Sequence, residues 1–282
     1  MFIRKRILPH LGFFVMLSFS IHSKAQLYVG AEVGGNQNYL IKNVSSLNAT
    51  EIVPKNGITL AAIVQYKFND WFSVEATPQF IQKNYQIQRT GYYTGVYQRT
   101  DNNYLQLPVS AKFSFGTKKW KGFVDLGVYA AYWVSSHIKG KIPNILDQSA
   151  YNQAYNPYVD APTSPVVMSE TIFDDYNPYT FSQKYQFDKI KDRRYELGLS
   201  AGLGVSYEAT PKITVFAEFK YSDALTDQQK KYQYIQDAQY NETGSFLVGF
   251  TRKIHLHCKK KVSKEVESKK VKVKSQKDTG LK

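Results

Sequence analysis

Apolar and polar residues alternate from Tyr104 to Val134, which predicts two β-strands joined by a short basic turn. From Leu105 to Phe115 every odd-numbered residue is apolar, and from Val124 to Val134 every even-numbered residue is apolar. A period of two places each set on one face of a strand. Both runs exceed the ~5–6 residues usual in globular proteins and match the ~9–11 residues with which a tilted strand crosses a bilayer.

The same alternation recurs in six further segments, so that the sequence predicts eight strands. These six are Leu27–Gly34, Leu60–Phe68, Phe72–Phe80, Glu196–Tyr207, Ile213–Tyr221 and Phe246–Ile254. An even strand number is typical of single-chain bacterial outer-membrane barrels, whose mean hydropathy stays low because only alternate residues face lipid. The mean hydropathy of -0.42 therefore excludes membrane helices and leaves a barrel open. We predict an all-β fold, an eight-stranded antiparallel transmembrane β-barrel.

The predicted connections alternate between short and long. The short ones are Asn69-Asp70, Gly116–Lys121 and Ala209–Pro211. This asymmetry is typical of short periplasmic turns and long extracellular loops. Aromatic residues flank both ends of the strands, as two interfacial girdles require. The girdle at the short turns comprises Phe68, Trp71, Phe72, Phe115, Trp120 and Tyr207, and the girdle at the long loops comprises Tyr85, Tyr104, Trp133, Tyr195 and Tyr221.

The two ends of the chain differ from its body. Residues 1–25 combine basic Arg4, Lys5 and Arg6 with an apolar run and a small-residue site before Gln26, which predicts a cleaved secretory signal peptide. Residues 255–282 are lysine-rich and poor in apolar residues, which predicts a disordered periplasmic tail. Most of the net charge of +14 lies in these two segments, so the basic composition does not indicate a nucleic-acid partner. The single cysteine, Cys258, excludes an internal disulfide.

The export signal ending at Ala25-Gln26, the eightfold alternation and the Tyr104-Leu-Gln-Leu-Pro108 entry to the fourth strand resemble the PorT-like outer-membrane β-barrel proteins of Bacteroidota. The resemblance covers residues 26–254, which we take as the barrel domain. It implies the barrel fold and a location in the outer membrane. Some members of that family are implicated in type IX secretion, so the resemblance also implies a relation to that apparatus. The chain departs from minimal barrels, which commonly finish on an aromatic residue of the last strand, because its basic tail follows the last strand.

If the apolar faces contact lipid, the opposite faces place charged residues in the lumen. The predicted lumen charge network comprises Glu32, Lys67, Glu75, Lys112, Asp125, Glu196, Glu218 and Lys220. The side chains of an eight-stranded barrel are sufficient to fill it, so we expect a packed network of paired charges rather than a pore. An ion or proton path is the alternative.

The third long loop, residues 139–194, contains the sequence Tyr-Asn-Pro-Tyr twice. Tyrosine is enriched at binding surfaces. The candidate contacts for a glycan or protein partner are therefore Tyr155, Tyr158, Tyr176 and Tyr179. The alternative is that tyrosine and proline only stiffen a solvent-facing loop.

Two further sites are weaker candidates. Ser135 and His137 lie on one face of the fifth strand, where a serine nucleophile with a histidine base would suit a lipid-modifying enzyme, and Asp192 or Glu196 could orient the histidine. By strand parity, however, that pair points inward. His255, His257 and Cys258 are adjacent in the tail but too few and too close to complete a tetrahedral metal site.

The interpretation that these observations favour is a non-enzymatic outer-membrane barrel that acts as a scaffold or binding protein through its extracellular loops. It requires no cofactor and no metal. Its expected partners are outer-membrane lipid and an extracellular or periplasmic protein, not nucleic acid. The alternatives are an outer-membrane lipid-modifying enzyme and a soluble periplasmic lipocalin-like carrier, whose apolar face would point inward.

Overall fold

The computed structural model describes residues 26–42, 49–91, 94–142, 179–232, 234 and 236–254. Within these ranges the regular elements are eleven β-strands. Their bounds are β1 Gln26–Lys42, β2 Thr50–Lys67, β3 Phe72–Ala76, β4 Gln79–Gln82, β5 Tyr85–Arg89, β6 Tyr97–Gly116, β7 Trp120–Ile142, β8 Tyr179–Lys184, β9 Tyr195–Thr210, β10 Ile213–Ala224 and β11 Gln239–Ile254. No helix in the described part of the chain is long and apolar enough to span a membrane.

The strands form one antiparallel sheet whose pairings close on themselves. β1 pairs with β2 on one side and with β11 on the other, and from β11 the pairings run through β10 and β9 to β7 and β6. β6 then pairs with β3, β4 and β5, and these three pair with β2, which completes the circuit. β8 lies outside the circuit and extends the sheet beside the last residues of β7. All strands in the circuit therefore have neighbours on both sides.

Three tight turns lie at one end of this closed sheet, which we call the turn end; the opposite end is the loop end. In the first turn the side chain of Asn69 accepts hydrogen bonds from the backbone N–H groups of Trp71 at 3.1 Å and Phe72 at 2.7 Å. In the second turn Gly116 has a φ of 129°, which an L residue with a side chain rarely adopts. The turns therefore form at the positions that the sequence predicts.

The third predicted strand is divided into β3, β4 and β5. Pro78 has no N–H group to donate, and the ladder to β6 is interrupted there, with the Thr77 N–H bonded to the carbonyl of Pro108 at 3.0 Å. A second interruption follows at Lys83, whose N–H bonds to the carbonyl of Asn102 at 2.9 Å. The alternation of faces nevertheless continues through both breaks, so the side chain of Lys83 points into the closed sheet.

Apolar side chains cover the outside of the closed sheet, and polar side chains fill its interior. On β9, Leu203 is 60% exposed and Leu197 is 55% exposed, whereas Glu196 and Ser200 on the opposite face are each 5% exposed. The other large apolar residues exposed on the outside include Val33, Leu60, Val64, Leu105, Leu107, Leu126, Val128, Val215, Phe219, Phe246 and Val248. In a soluble carrier the apolar faces would point inward, so this distribution is the reverse of what that alternative requires.

Two small apolar clusters interrupt the polar interior. The cluster nearer the turn end comprises Ile63, Phe123 and Phe216, and the cluster nearer the loop end comprises Ile81, Tyr104, Tyr129, Ala131 and Trp133.

A register shift between β6 and β7 reverses, near the loop end, which residues of β7 face inward: odd-numbered residues do so before the shift and even-numbered residues after it. Asn103 pairs with Ser135 but Tyr104 pairs with Trp133, so Val134 is an extra residue on β7. Such a bulge moves every following residue to the other face. Ser136 is therefore the buried serine, and His137 is exposed on the outside. The expectation that Ser135 and His137 point inward is wrong because it assumed an uninterrupted alternation.

Several strands also extend beyond their predicted ends at the loop end. β2 begins at Thr50, ahead of the predicted Leu60, and β11 begins at Gln239, ahead of the predicted Phe246. β7 continues to Ile142, and Tyr179–Lys184 forms β8, so both ends of the predicted loop 139–194 contain strand.

The aromatic residues at the two ends of the sheet differ in orientation. At the turn end Trp71, Phe115 and Trp120 are exposed on the outside. At the loop end Tyr195 and Tyr221 are exposed, but Tyr85, Tyr104 and Trp133 are buried in the interior. The predicted outer girdle is therefore wrong for these three residues, because they lie on the inward face of their strands.

Candidate functional site

Six of the predicted lumen charges form one cluster in the interior. Lys112 pairs with Glu75 at 3.2 Å, and Lys220 pairs with Glu218 at 2.8 Å. Glu32 and Asp125 are also buried, but their carboxyl oxygens have no hydrogen-bond partner among the described residues. The cluster thus contains four carboxyl groups and two ammonium groups.

Small residues make room for this cluster. A Cβ added to Gly202 would lie 2.6 Å from Glu218 Oε1 and closer still to Asp125 Oδ2. The ammonium group of Lys112 also lies 3.9 Å from the centre of the Phe123 ring, a distance at which a cation and an aromatic face attract each other. The interior is therefore filled by side chains at this level.

The other two predicted lumen charges lie apart from the cluster. Lys67 is at the turn end, where its ammonium group lies 4.4 Å from the centre of the Tyr28 ring. Glu196 is toward the loop end, where it pairs with Lys83, a residue absent from the predicted network. The predicted strand ended at Phe80, and extending its alternation by three residues would have identified Lys83.

Glu196 is the centre of a second interior network. Besides Lys83, it accepts hydrogen bonds from the hydroxyl of Tyr129 at 2.9 Å and from Nδ2 of Asn241 at 2.8 Å. Gln228 Nε2 donates to the hydroxyl of Tyr104 at 3.0 Å on the side toward the loop end. These bonds connect several strands across the interior, between the charged cluster and the loop end.

The residues of the enzyme hypothesis do not form a catalytic arrangement. Nε2 of His137 lies 2.8 Å from Oγ of Ser182 on β8, and Ser135 accepts a hydrogen bond from Asn103 at 3.0 Å. Asp192 accepts from the Tyr185 hydroxyl at 3.0 Å, and Glu196 pairs with Lys83. Neither carboxylate is therefore positioned to orient His137.

The candidate binding tyrosines fall mostly outside the described ranges. Tyr155, Tyr158 and Tyr176 lie outside the described residues, as do His255, His257 and Cys258. Tyr179 is the first residue of β8; it is exposed and pairs with Ile142 of β7. Among the described residues no group of three or more His, Cys, Asp or Glu side chains could hold a metal ion.

A cavity that the sequence pattern does not predict lies at the loop end of the interior. The cavity has a volume of about 180 Å³, and Tyr85, Thr100, Trp133, Ser136 and Tyr185 are among its lining residues. Residues 185–192 fold back over β7, where the Tyr185 N–H bonds to the carbonyl of Ser136 at 2.9 Å. The only sequence signal for this cavity is the alternation of β5 and β6, which continues toward the loop end. The bulge in β7 prevents the same pattern from showing that Ser136 faces the cavity.

Comparisons with known proteins identify a family whose model matches most of the chain. A family model described as "Outer membrane protein beta-barrel domain" matches residues 18–230. Among solved structures, Neisserial surface protein A has 13% identity and a TM-score of 0.41, covering 82% of this chain and 99% of that one. OprG from Pseudomonas aeruginosa has 15% identity and a TM-score of 0.44, covering 83% of this chain and 98% of that one. No curated protein matches the chain.

Proposed function

Since the chain belongs to the outer membrane protein beta-barrel domain family, we propose that it is an eight-stranded transmembrane barrel and a non-enzymatic scaffold or binding protein that acts through its extracellular side. The strand count treats β3, β4 and β5 as successive parts of one strand position and leaves β8 outside the circuit. On this proposal the turn end faces the periplasm and the loop end faces the outside of the cell.

The observation that carries the proposal is the apolar outer surface around a polar interior. A soluble protein would expose its charged residues and bury its leucines, whereas here Leu126 is 60% exposed and Glu218 is 1% exposed. In lipid the same arrangement is favourable, because the outer face contacts acyl chains and the closed sheet satisfies the backbone hydrogen bonds internally.

The filled interior favours binding over transport. Both polar networks occupy the space enclosed by the strands, as expected for a barrel of this small size. Binding residues are often carried on connections supported by a rigid scaffold, and the long connections of this chain are all at the loop end. Tyr179 and the tyrosines at positions 155, 158 and 176 remain our candidates for contacts with an extracellular partner.

Two narrower parts of the proposal rest on the sequence alone. We propose that the first 25 residues are cleaved as a signal peptide, and amino-terminal sequencing of the protein from outer membranes would give Gln26 as its first residue. The resemblance to PorT-like proteins leads us to propose a relation to type IX secretion. A deletion strain that still exports all type IX substrates at normal levels would contradict that relation.

The main test is electrophoresis of the detergent-extracted protein, with and without boiling, after separation of inner and outer membranes. We expect the protein in the outer-membrane fraction with a band that shifts on boiling, because a closed barrel resists unfolding by detergent at room temperature. Protease added to whole cells should cut within residues 144–191. A soluble protein without a heat-dependent shift would contradict the proposal and make the carrier the better explanation.

A further inference from the structure

We call the cavity at the loop end the vestibule. On its side toward the turn end lie the hydrogen bond between Gln228 and Tyr104 and then the network of Glu196. Its volume of about 180 Å³ is large enough to hold several water molecules. A ligand of this size is a single ring with its substituents, and it would enter from outside the cell.

Three polar atoms of residues that line the vestibule have no hydrogen-bond partner among the described residues. They are Trp133 Nε1, Ser136 Oγ and Thr100 Oγ1, and their residues are 5%, 2% and 4% exposed. Thr100 pairs with Tyr85 across β5 and β6. A buried polar group without a partner costs about 1–3 kcal/mol, so these groups are suited to bonding with a ligand.

The walls of the vestibule are held in place before any ligand binds. The ring of Tyr185 stacks on Trp133 with a centroid separation of 5.8 Å, and the Tyr185 hydroxyl donates to Asp192 at 3.0 Å. Asp192 also accepts from the backbone N–H of Asp188 at 2.7 Å. Burial and the nearby Asp192 carboxylate raise the pKa of the Tyr185 hydroxyl and so favour the protonated form that donates to Asp192. Such prior order reduces the entropy lost on binding.

The lining chemistry selects a neutral ligand. Among the described residues that line the vestibule, Asp192 is the one charged residue, and its two oxygens already accept hydrogen bonds. The remaining polar groups are hydroxyls, an indole N–H and the amides of Gln98, Gln228, Gln229 and Gln239, while the side chains of Ile87 and Ile138 are apolar. Uncharged donors and acceptors mixed with aromatic and aliphatic surface suit a sugar ring, which has hydroxyls on its edge and C–H groups on its faces.

We propose that the vestibule binds one neutral sugar ring, either a free monosaccharide or the terminal unit of an extracellular glycan. The proposal rests on the proposed function, because it requires the loop end to face the outside of the cell. It assigns ligand contacts to Ser136 and Trp133, and it places the site inside the barrel mouth rather than on the tyrosines at positions 155–179.

The test uses the full-length mature protein in detergent with Trp71→Phe and Trp120→Phe, which leave Trp133 as the single tryptophan. Its fluorescence is titrated with glucose, galactose, mannose, N-acetylglucosamine, lactose and glucuronate. We expect a saturable change in emission with at least one neutral sugar and a weaker response to glucuronate. Lactose that binds as tightly as galactose would identify the terminal ring of a glycan, and lactose that fails to bind would identify a free sugar.

Matched variants separate the site from general effects. Ser136→Ala and Thr100→Val should each weaken binding by about 3- to 10-fold through the loss of one hydrogen bond, whereas Ser135→Ala, one residue away but on the outer face, should not change it. Absence of saturable binding to every sugar, or tighter binding of glucuronate, would overturn the proposal. Heat-modifiability of the same preparation shows whether the barrel itself has formed, so the failure of this inference is distinguishable from failure of the proposed function.

Discussion

Lys83 and Glu196 form an ion pair inside the closed sheet, between strand positions that are 113 residues apart in the sequence. The side chain of Lys83 is 0% exposed, and its ammonium group also lies 4.9 Å from the centre of the Tyr129 ring. Two buried charges of this kind are stable together, but either one alone would be left without compensation. The pair therefore holds β9 to the segment between β4 and β5.

Lys83→Met should destabilise the protein by about 3–5 kcal/mol, because it leaves the carboxylate of Glu196 buried without its partner. The double variant Lys83→Met with Glu196→Leu should recover most of that loss, since it removes both charges. Lys139→Ala is the control, because Lys139 is 45% exposed in its pair with Asp101 and such pairs contribute about 0–1 kcal/mol. The measurement is urea unfolding in lipid vesicles. Equal effects of Lys83→Met and Lys139→Ala would show that the interior pair is solvated.

The alternation of the sequence predicted the strands and their faces wherever one face is apolar and exposed. On β9, Leu197, Leu203 and Val205 lie outside and Glu196 lies inside, as a period of two requires. The prediction failed toward the loop end, where the outward-facing residues are no longer regularly apolar. Residues 50–59 form part of β2, but Lys55, Asn56 and Gly57 interrupt the alternation there, so no period could be detected.

Single-residue irregularities limited the prediction of the site. The extra residue Val134 is invisible in the sequence because Trp133 and Val134 are both apolar, yet it decides that Ser136 rather than Ser135 faces the vestibule. Pro78 lies on the outer face, and the alternation continues past it to Lys83. The predicted strand ended at Phe80 and therefore did not include Lys83. The alternating pattern predicted the strands in the body of the barrel. The faces of the residues at its loop end could not be predicted, because they depend on bulges and breaks that appear only in the pairing of the strands.

Gly202→Ala should destabilise the barrel by about 1–3 kcal/mol, the usual cost of overpacking. The added methyl group would overlap the carboxylates of Asp125 and Glu218, which are themselves buried and cannot easily move away. Gly35→Ala is the matched control, because a Cβ at Gly35 has no atom within 4 Å. The urea midpoints of the two variants should differ clearly. If Asp125→Ala fails to relieve the defect of Gly202→Ala, the overlap is not its cause.

Leu203→Arg should cost about 2–4 kcal/mol, because Leu203 lies on the outer face at the middle of β9 and would place a charge near the bilayer midplane. Tyr195→Arg, on the same face at the loop end of β9, should cost only ~0–1 kcal/mol. The comparison is made by reversible unfolding from lipid vesicles. A flat response to position along the strand would argue that the outer face does not contact lipid.

Ser135→Ala and His137→Ala should leave the lipid A of the cell unchanged. His137 is bonded to Ser182 on β8 rather than to Ser135, so the predicted nucleophile and base are not paired with each other. Mass spectrometry of lipid A from cells that carry each variant, the wild-type gene or no gene gives the comparison. A lipid A species present only with the wild-type gene would support the lipid-modifying enzyme.

The three tryptophans should differ in their contact with lipid. Comparing them tests in one experiment which side chains face the membrane and which face the interior of the barrel. Trp71 and Trp120 are 58% and 60% exposed at the turn end, whereas Trp133 is 5% exposed and stacked between Tyr104 and Tyr185. Proteins that retain one tryptophan, with phenylalanine at the other two positions, are reconstituted in phospholipids brominated on their acyl chains. Bromine quenches on contact, so Trp71 and Trp120 should lose most of their emission and Trp133 should keep it. Strong quenching of Trp133 would mean that its side chain faces lipid, as the predicted aromatic girdle at the long loops implies.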